Sequence, residues 1–330
     1  MKRFEILAPK SVDQAVSYLK KYGTRSKVIA GGTDLLSMMK NRLEGPGLPI
    51  PEVIIDIQGL SGLNSIKHEK GRVLRIGALA TLSQIEAHPA IREKFGILAQ
   101  TTGEVASPQL RNVGTIGGNL CQRPRCWYFR NRSFPCHKKG GNFCFAVTGD
   151  NRYYHAILEG GPCFMVHPSD MAPPLITLGA RVKIVGPKGS KILPIEKFFI
   201  KPGQDILKEN VLKPDEILME IHIPDAPPNT EGYYLKSRIR RAWDFALTGA
   251  AVVITSNDGI CKDCKIALSG VAPIPLRAPK AEETLRGKKI DESLALQAAH
   301  TALMGARALS MNAYKVDMAK ALTKRAILSG

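Results

Sequence analysis

The stretch Thr115-Ile116-Gly117-Gly118-Asn119-Leu120 is framed by glycines and runs directly into a segment rich in cysteine. Glycine turns carry no side chains, so their main-chain N–H groups can approach anionic oxygens closely. The clustered thiols that follow are preferred ligands of iron–sulfur clusters and of zinc. We therefore expect a phosphate-bearing ligand beside a candidate metal site, a combination typical of electron-transfer proteins.

A second glycine turn lies earlier in the chain, at Gly31-Gly32-Thr33-Asp34. A strand is predicted before it, at Lys27–Ala30, and a helix after it, at Leu35–Lys40, which is an arrangement that cradles phosphate. The turn matches neither the G-x-G-x-x-G fingerprint nor the P-loop motif. A lone Gly-Gly pair is usually only a tight turn. Two such turns could clamp one pyrophosphate, which favours a dinucleotide.

The cysteine-rich segment, residues 121–169, is predicted to be irregular and is too long for a connection in a compact domain unless something organises it. Four of its cysteines are candidate metal ligands: Cys126, Cys136, Cys144 and Cys163. Their gaps are not the C-x2-C spacing of zinc ribbons or bacterial ferredoxins. Free buried cysteine is also common in protein cores. The spacing alone leaves both interpretations open, and Cys121 could replace any of the four.

Two further cysteines form a C-x2-C pair in Cys261-Lys262-Asp263-Cys264. No second pair of cysteines or histidines lies nearby in the sequence, as a zinc site of this kind requires. The pair falls in a predicted hairpin after Asp258-Gly259. We interpret it as structural, with a redox or metal function as the alternative.

The length of 330 residues and the 44% hydrophobic content predict two or three domains with real cores. No apolar region follows the first charged residues, and no run of eighteen apolar residues occurs, so we expect no export signal and no membrane span. Five of the seven cysteines fall between positions 121 and 163, which favours reduced thiols and a cytoplasmic location. Export inside a complex, on a partner's signal, would place the chain in the periplasm instead.

The formal net charge is +18, but the lysines and arginines are spread along the chain. The signatures of common nucleic-acid-binding motifs are not evident, so no nucleic-acid partner is expected. An acidic protein partner or a polyanionic cofactor such as a dinucleotide explains the charge equally well.

The periodicity of apolar residues predicts several further elements. An amphipathic helix is expected at Ser11–Lys20 and a strand at Val53–Ile57. The proline-rich stretch 224–229 is the best candidate for a domain boundary. The elements predicted beyond it are strands at 233–236, 249–255 and 264–269 and helices at 291–309 and 314–328. This last third of the chain is therefore predicted to form a small α+β domain.

Five motifs occur in a recognisable order: Val28–Leu35, Asn112–Asn119, Pro168–Asp170, Asp215–Leu218 and Ser269–Ala278. Together they resemble the FAD-binding medium subunit of molybdenum hydroxylases, the xanthine dehydrogenase and carbon monoxide dehydrogenase family. The stretch Arg125–Asn131 and the cysteines after it resemble the subset with an extra 4Fe-4S cluster, as in periplasmic aldehyde oxidoreductase and 4-hydroxybenzoyl-CoA reductase.

The resemblance implies an α+β fold, with a two-lobed PCMH-type FAD-binding domain followed by a carbon monoxide dehydrogenase flavoprotein-type C-terminal α+β domain. The implied boundaries are residues 1–57 for the first lobe, 58–224 for the second lobe with its cysteine-rich loop (121–169), and 229–330 for the last domain. The implied FAD-binding residues are Val28, Ile29, Ala30, Gly31, Gly32, Thr33, Asp34, Leu35, Thr115, Gly117, Gly118, Asn119, Asp170, Leu218 and Lys236. The implied ligands of the 4Fe-4S cluster are Cys126, Cys136, Cys144 and Cys163, which leaves Cys121 without a role.

The function implied is that of an FAD-dependent oxidoreductase subunit. It would pass electrons between the 2Fe-2S clusters of a small partner subunit and an external carrier (ferredoxin, quinone, oxygen or NAD), while a molybdopterin-containing large subunit acts on an aldehyde, an N-heteroaromatic compound or an aromatic acyl-CoA. The extra cluster is either an electron relay or a structural staple for the long loop. Two alternatives remain open: a non-catalytic assembly subunit that has lost FAD, and a stand-alone flavin reductase.

Overall fold

The computed structural model of the chain describes residues 1–69 and 71–330. Its strands form three separate sheets, each built from one stretch of the chain: residues 5–56, 66–224 and 230–277. Helices accompany all three sheets. The predicted α+β class is thus confirmed, and the sheets divide the chain into three successive units.

The first unit consists of β1 (Glu5–Leu7), α1 (Val12–Tyr22), β2 (Ser26–Ile29), α2 (Leu35–Lys40) and β3 (Val53–Asp56). Its three strands are parallel, in the order β1-β3-β2. Helix α1 begins at Ser11, whose hydroxyl accepts a hydrogen bond from the Gln14 N–H at 3.1 Å, and it ends at Gly23, which has a positive φ of 53°. The predicted strand, turn and helix around Gly31 are therefore present as β2, the glycine turn and α2.

The second unit is a five-stranded antiparallel sheet covered by helices. Its elements are β4 (Ile66–Glu69), β5 (Val73–Gly77), α3 (Leu82–Ala87), α4 (Pro89–Lys94), α5 (Gly96–Glu104), α6 (Pro108–Val113), α7 (Ile116–Cys121), α8 (Trp127–Arg130), α9 (Ala172–Thr177), β6 (Arg181–Gly186), β7 (Gly189–Pro194) and β8 (Ile217–Pro224). The strand order is β4-β5-β8-β6-β7. Apolar side chains of the sheet and of α3, α5, α7 and α9 form a large buried core. Strand β8 is central to this sheet.

The third unit is a four-stranded antiparallel sheet in the order β12-β11-β10-β9, packed against three helices. Its elements are β9 (Thr230–Ser237), β10 (Thr248–Asn257), β11 (Ile260–Ser269), β12 (Leu276–Arg277), α10 (Pro279–Leu285), α11 (Glu292–Ala302) and α12 (Tyr314–Leu328). The three predicted strands and the last helix are present. The helix predicted over 291–309 stops at Ala302, and α10 had no clear sequence signal.

The cysteine-rich loop contains little regular structure apart from α8 and one turn of 3-10 helix at His137–Lys139. Polar contacts hold it to the units on either side. The Arg130 guanidinium bonds the Asp34 carboxylate at 2.6 Å, at the start of α2. The amide of Asn312, before α12, donates to the carbonyl oxygen of His155 at 3.2 Å. The loop is therefore anchored by side chains from the first and third units.

Lys315 supplies the main polar anchor between α12 and the loop. Its fully buried ammonium group donates to the carbonyl oxygens of Tyr153, His155 and Gly270 at 2.9, 2.8 and 2.6 Å. Burial lowers the pKa of Lys315 to about 7. The hydrogen bonds to three carbonyl groups offset the penalty of burying the charge.

Replacement of Lys315 by methionine should lower the free energy of unfolding by about 2–3 kcal/mol, because the carbonyl oxygens of Tyr153 and Gly270 lose this donor and that of His155 keeps only Asn312. Urea denaturation of the two proteins measures the difference. The matched control is Lys320→Met on the same helix, which removes only an exposed pair with Asp317 and should change stability by less than about 0.5 kcal/mol. Equal stability of the Lys315 variant and the wild type would show that the three bonds are not anchors.

Across residues 1–69 and 71–330, none of the helices combines the length and the apolar character that a bilayer crossing requires.

Candidate functional site

The two glycine turns predicted from the sequence lie side by side. A Cβ atom at Gly31 would fall 1.9 Å from the carbonyl oxygen of Val113 and 3.2 Å from the Cα of Gly114. The first turn thus packs its bare backbone directly against the residues that precede Thr115. The fold brings together two side-chain-poor segments that are some eighty positions apart in the chain.

In the second turn, Thr115 caps helix α7, and its hydroxyl accepts a hydrogen bond from the Gly118 N–H at 3.1 Å. The two glycines have different surroundings. A Cβ at Gly117 would lie 2.8 Å from two atoms of Ala78, whereas one at Gly118 would meet only the hydroxyl of Thr115. Gly117 is buried and Gly118 is exposed. Gly117 is therefore required for packing, while Gly118 leaves an open approach to the backbone.

The predicted residues of the first turn lie on either side of its bend. Val28 and Ile29 are half-buried in β2, Thr33 is exposed, and Leu35 opens helix α2. Ala30, Gly31 and Gly32 form the bend itself, and Gly32 has a positive φ of 70°. This φ is readily adopted by glycine.

Asp34 ties the first turn to the cysteine-rich loop. Its carboxylate accepts hydrogen bonds from the Arg123 N–H at 2.8 Å and from the guanidinium groups of Arg130 and Arg125 at 2.6 and 2.9 Å. Burial raises the pKa of Asp34, but the two guanidinium groups outweigh burial and hold it below its usual value. Neither arginine had a role predicted from the sequence, although both lie in the stretch Arg125–Asn131 and Arg125 directly precedes the candidate ligand Cys126.

A buried polar network continues from the second turn into the third unit. The Ser169 hydroxyl donates to the Asn119 amide oxygen at 2.5 Å. The adjacent Asp170 carboxylate pairs with the Lys236 ammonium at 2.7 Å and accepts from the Tyr234 hydroxyl at 2.8 Å. The Asp170 side chain is 4% exposed and that of Lys236 is 0% exposed. The structure thus brings Asn119, Asp170 and Lys236, which the sequence singled out separately, into one chain of contacts.

Leu218 occupies a different position. It lies on β8, is 5% exposed, and packs in the core of the second unit. Its neighbour Met219 accepts a hydrogen bond from the Ala78 N–H, and the Ala78 carbonyl oxygen accepts from the Gly117 N–H. Leu218 therefore supports the layer beneath the second turn.

A small cavity is lined in part by Asp170. Arg125 borders it, with its guanidinium carbon 4.5 Å from the centre of the Phe245 ring. The other lining residues are Tyr154, Val166, His167, Pro168, Ala246, Ser269 and Gly270. The cavity lies where the cysteine-rich loop, the buried network and the third unit meet.

The four candidate ligands in the loop line one small cavity. Cys126, Cys136 and Cys163 are each 6% exposed, and Cys144 is partly buried. The other lining residues are Pro124, Tyr128, Phe129, His137, Lys138, Phe145, Ala146 and Met165. The fold thus gathers four thiols, from Cys126 to Cys163 in the sequence, around one space.

Backbone N–H groups point at all four of these sulfur atoms. The donors are Tyr128 and Phe129 to Cys126, Lys138 and Lys139 to Cys136, Ala146 and Phe164 to Cys144, and Met165 to Cys163. The ring of His155 adds a contact, with Nε2 3.3 Å from the Cys126 sulfur. Hydrogen bonds of this kind stabilise thiolates and tune metal–thiolate centres.

Burial raises the pKa of Cys126 to about 12. The Cys163 thiol donates to Cys144, which lowers the pKa of Cys144 to about 6 and raises that of Cys163. One thiolate is therefore favoured even among free thiols. Binding of a metal centre to the four cysteines would release the remaining protons.

Among residues 1–69 and 71–330, no three or more side chains of His, Cys, Asp or Glu converge as ligands of a single metal ion. A zinc ion needs all its sulfur ligands at about 2.3 Å from one point. A cubane cluster instead binds each cysteine at a separate iron, so its four sulfurs stand apart around the space that the cluster fills. The four cysteines line one cavity without meeting at a single point.

The three remaining cysteines lie away from this cavity. Cys121 ends α7 against the core of the second unit, and burial raises its pKa to about 12. Cys261 and Cys264 are each 1% exposed on β11 and belong to the core of the third unit. A bulge in the pairing with β10 turns both side chains inward. The structural interpretation of this pair fits their position.

Comparison with known families places this site in context. Residues 2–226 match the FAD binding domain in molybdopterin dehydrogenase, and residues 233–329 match the CO dehydrogenase flavoprotein C-terminal domain. The chain belongs to the family of FAD-binding medium subunits of molybdenum hydroxylases, and it is an oxidoreductase subunit. The two-lobed FAD-binding domain and the C-terminal domain expected from the sequence are thereby confirmed.

Individual relatives cover most of the chain. It is 35% identical over 298 residues to the aldehyde oxidoreductase FAD-binding subunit PaoB of Escherichia coli (strain K12), covering 89% of this chain and 88% of PaoB. It is 31% identical to the carbon monoxide dehydrogenase medium chain of Hydrogenophaga pseudoflava, covering 98% and 96%. The solved structure of carbon monoxide dehydrogenase from that organism superposes with a TM-score of 0.78 at 30% identity over 99% of this chain and 96% of that one.

The glycine turns fit an FAD pyrophosphate, since bare backbone from two segments meets beside the exposed Gly118. The four thiols fit an iron–sulfur cluster, since they surround one cavity and each receives N–H donors.

Proposed function

We propose that this chain is the FAD-containing electron-transfer subunit of a heteromeric molybdenum hydroxylase. It passes electrons between the 2Fe-2S clusters of a small partner subunit and an external carrier, while a molybdopterin-containing large subunit oxidises or reduces the substrate. The substrate class is an aldehyde, an N-heteroaromatic compound or an aromatic acyl-CoA. Family membership supports this proposal, together with the similarity to PaoB and to the carbon monoxide dehydrogenase medium chains.

FAD is proposed to lie across the two glycine turns, with its pyrophosphate on the backbone of 31–35 and 115–119. When bound, FAD supplies the exchange between one-electron and two-electron transfer. The chain's own residues position FAD. Asp34 holds the first turn to the loop, and the buried ion pair of Asp170 and Lys236 lies beside the second turn. The proposed lobes are residues 1–57 and 58–224, and the proposed C-terminal domain is 229–330.

The four cavity-lining cysteines are proposed to hold one 4Fe-4S cluster, which supplies one-electron transfer. The observation that carries this part is that thiols from four separate positions of an irregular loop surround one cavity and that backbone N–H groups reach all four sulfurs. Phe129 and Phe145 also line the cavity and exclude water from it. The cytoplasm is the proposed location, and export with a partner is the alternative.

The test is anaerobic purification of the protein, with iron, sulfide and FAD quantified per chain and absorption recorded before and after dithionite. We expect about four irons per FAD, as for one cubane. Cys126→Ser should lose most of the iron and retain FAD. Its matched control, Cys121→Ser, alters a cysteine five positions away that lies off the cavity and should keep both.

The alternatives give different results. If the wild type contains FAD but no iron after reconstitution with iron and sulfide, the cysteines are structural. The absence of both FAD and iron would favour an assembly subunit that has lost FAD. Full turnover of an external acceptor by the chain without partners would favour a stand-alone flavin reductase. Assays with ferredoxin, quinone, oxygen and NAD then identify the carrier.

A further inference from the structure

Two consecutive lysines in the cysteine-rich loop are buried beside the four thiols. Lys138 and Lys139 belong to the 3-10 turn that follows Cys136, and each is 1% exposed. Lys138 lines the cavity and acts electrostatically on Cys163, whereas Lys139 acts on Cys136 and Cys126. The backbone N–H of Lys139 also donates to the Cys136 carbonyl oxygen at 2.9 Å, which holds this residue beside the candidate ligand.

Lys138 has a buried counter-charge. Its ammonium lies 2.9 Å from a carboxylate oxygen of Glu209, whose side chain is 3% exposed. It also donates to the carbonyl oxygen of Lys208 at 2.7 Å. The same carboxylate also pairs with Arg123 at 2.8 Å, so Lys138 shares its counter-charge with a second cation.

Lys139 has no such partner. Its ammonium donates to the carbonyl oxygen of Asn131 at 2.6 Å. Within the parts of the chain that the structure describes, no carboxylate lies within ion-pair distance of it, and the charged groups that act on it are Cys136 and Cys126. A buried cation without a counter-charge is strongly destabilising. Lys139 has one carbonyl acceptor where the buried Lys315 has three, so its retention at this place points to an anionic occupant of the cavity.

We propose that Lys139 is the counter-charge of the metal–thiolate cluster and that it raises the cluster's reduction potential. This inference rests on the cluster assigned under the proposed function. Four thiolates outweigh the positive charge of the iron–sulfide core, and reduction adds one more negative charge. A fixed cation in a low-dielectric site stabilises the reduced state more than the oxidised state. Lys139 thus acts on the cluster through its charge and does not bind it.

The experiment is a redox titration of the anaerobically purified protein, followed by electron paramagnetic resonance of the cluster. Lys139→Met should make the midpoint potential more negative by at least about 59 mV, which corresponds to a tenfold change in the one-electron equilibrium constant. Lys139→Arg should restore the potential towards the wild-type value. The control Lys208→Met removes a nearby exposed lysine, whose charge is screened by water, and should leave the potential unchanged.

A second variant keeps Lys139 in place. Glu209→Gln removes the carboxylate that pairs with Lys138 and Arg123, so it should shift the potential in the opposite direction, to a more positive value. This variant tests the same electrostatic balance if Lys139→Met fails to fold. A shift in the same direction as Lys139→Met, or none, would overturn the inference.

The cluster-free protein provides an independent readout. With the cluster removed, Lys139 has no counter-charge, so Lys139→Met should raise the melting temperature of the cluster-free protein above that of the wild type. A wild type that cannot be loaded with iron would overturn the proposed cluster itself. A loaded wild type with no potential difference from Lys139→Met would overturn only the role of Lys139.

Discussion

Lys236→Met is expected to lower the free energy of unfolding by about 3–5 kcal/mol, because it leaves the Asp170 carboxylate buried without its cation. The two side chains are almost fully buried and lie 2.7 Å apart. The Lys236 ammonium also donates to the carbonyl oxygens of Glu104 and Asp244 at 3.1 and 2.9 Å. Urea denaturation of the wild type and the variant, both free of FAD, measures this difference.

The double variant Asp170→Asn with Lys236→Met serves as the control. It removes both charges and keeps an oxygen that can accept from the Tyr234 hydroxyl. It should therefore be more stable than Lys236→Met alone, although it contains one more substitution. If the single variant lost less than about 1 kcal/mol, the pair would not be a stabilising link between the second turn and the third unit.

Gly31→Ala is expected to be the most disruptive small substitution in the first glycine turn. The added methyl group would lie 1.9 Å from the carbonyl oxygen of Val113, and backbone cannot move aside as a flexible side chain can. We expect a loss of about 3 kcal/mol of stability. We also expect FAD to bind at least tenfold more weakly, which corresponds to about 1.4 kcal/mol. Thermal unfolding and fluorescence titration with FAD report the two effects separately.

Gly118→Ala separates packing from ligand approach. Its added methyl would meet only the hydroxyl of Thr115, at 3.1 Å, so stability should stay within about 0.5 kcal/mol of the wild type. FAD affinity should still fall if the ligand approaches the backbone there. Gly59→Ala, in open space, should change neither quantity. Wild-type stability in Gly31→Ala would contradict the close contact between the two turns.

Much of the local structure was predictable because it depends on residues close together in sequence. Ser11 and Gly23 delimit α1 through capping and a positive φ. The strand, turn and helix around Gly31 follow from a short apolar run, two glycines and a helical period. In contrast, β7 and most of β8 lack a clear alternating pattern. Only their pairing in the second sheet, β7 at its edge and β8 at its centre, defines them as strands.

The sequence by itself determined the candidates for the chemistry: two glycine turns and a group of cysteines in one irregular segment, to which the family resemblance added Asp170 and Lys236. Only the tertiary structure decided how these residues combine. It placed Gly31 against Val113, paired Asp170 with Lys236, and separated Cys121 from the four thiols around the cavity. Such contacts join residues tens of positions apart. Capping and periodicity act over a few residues, so distant contacts are set by how the three sheets and the loop pack together.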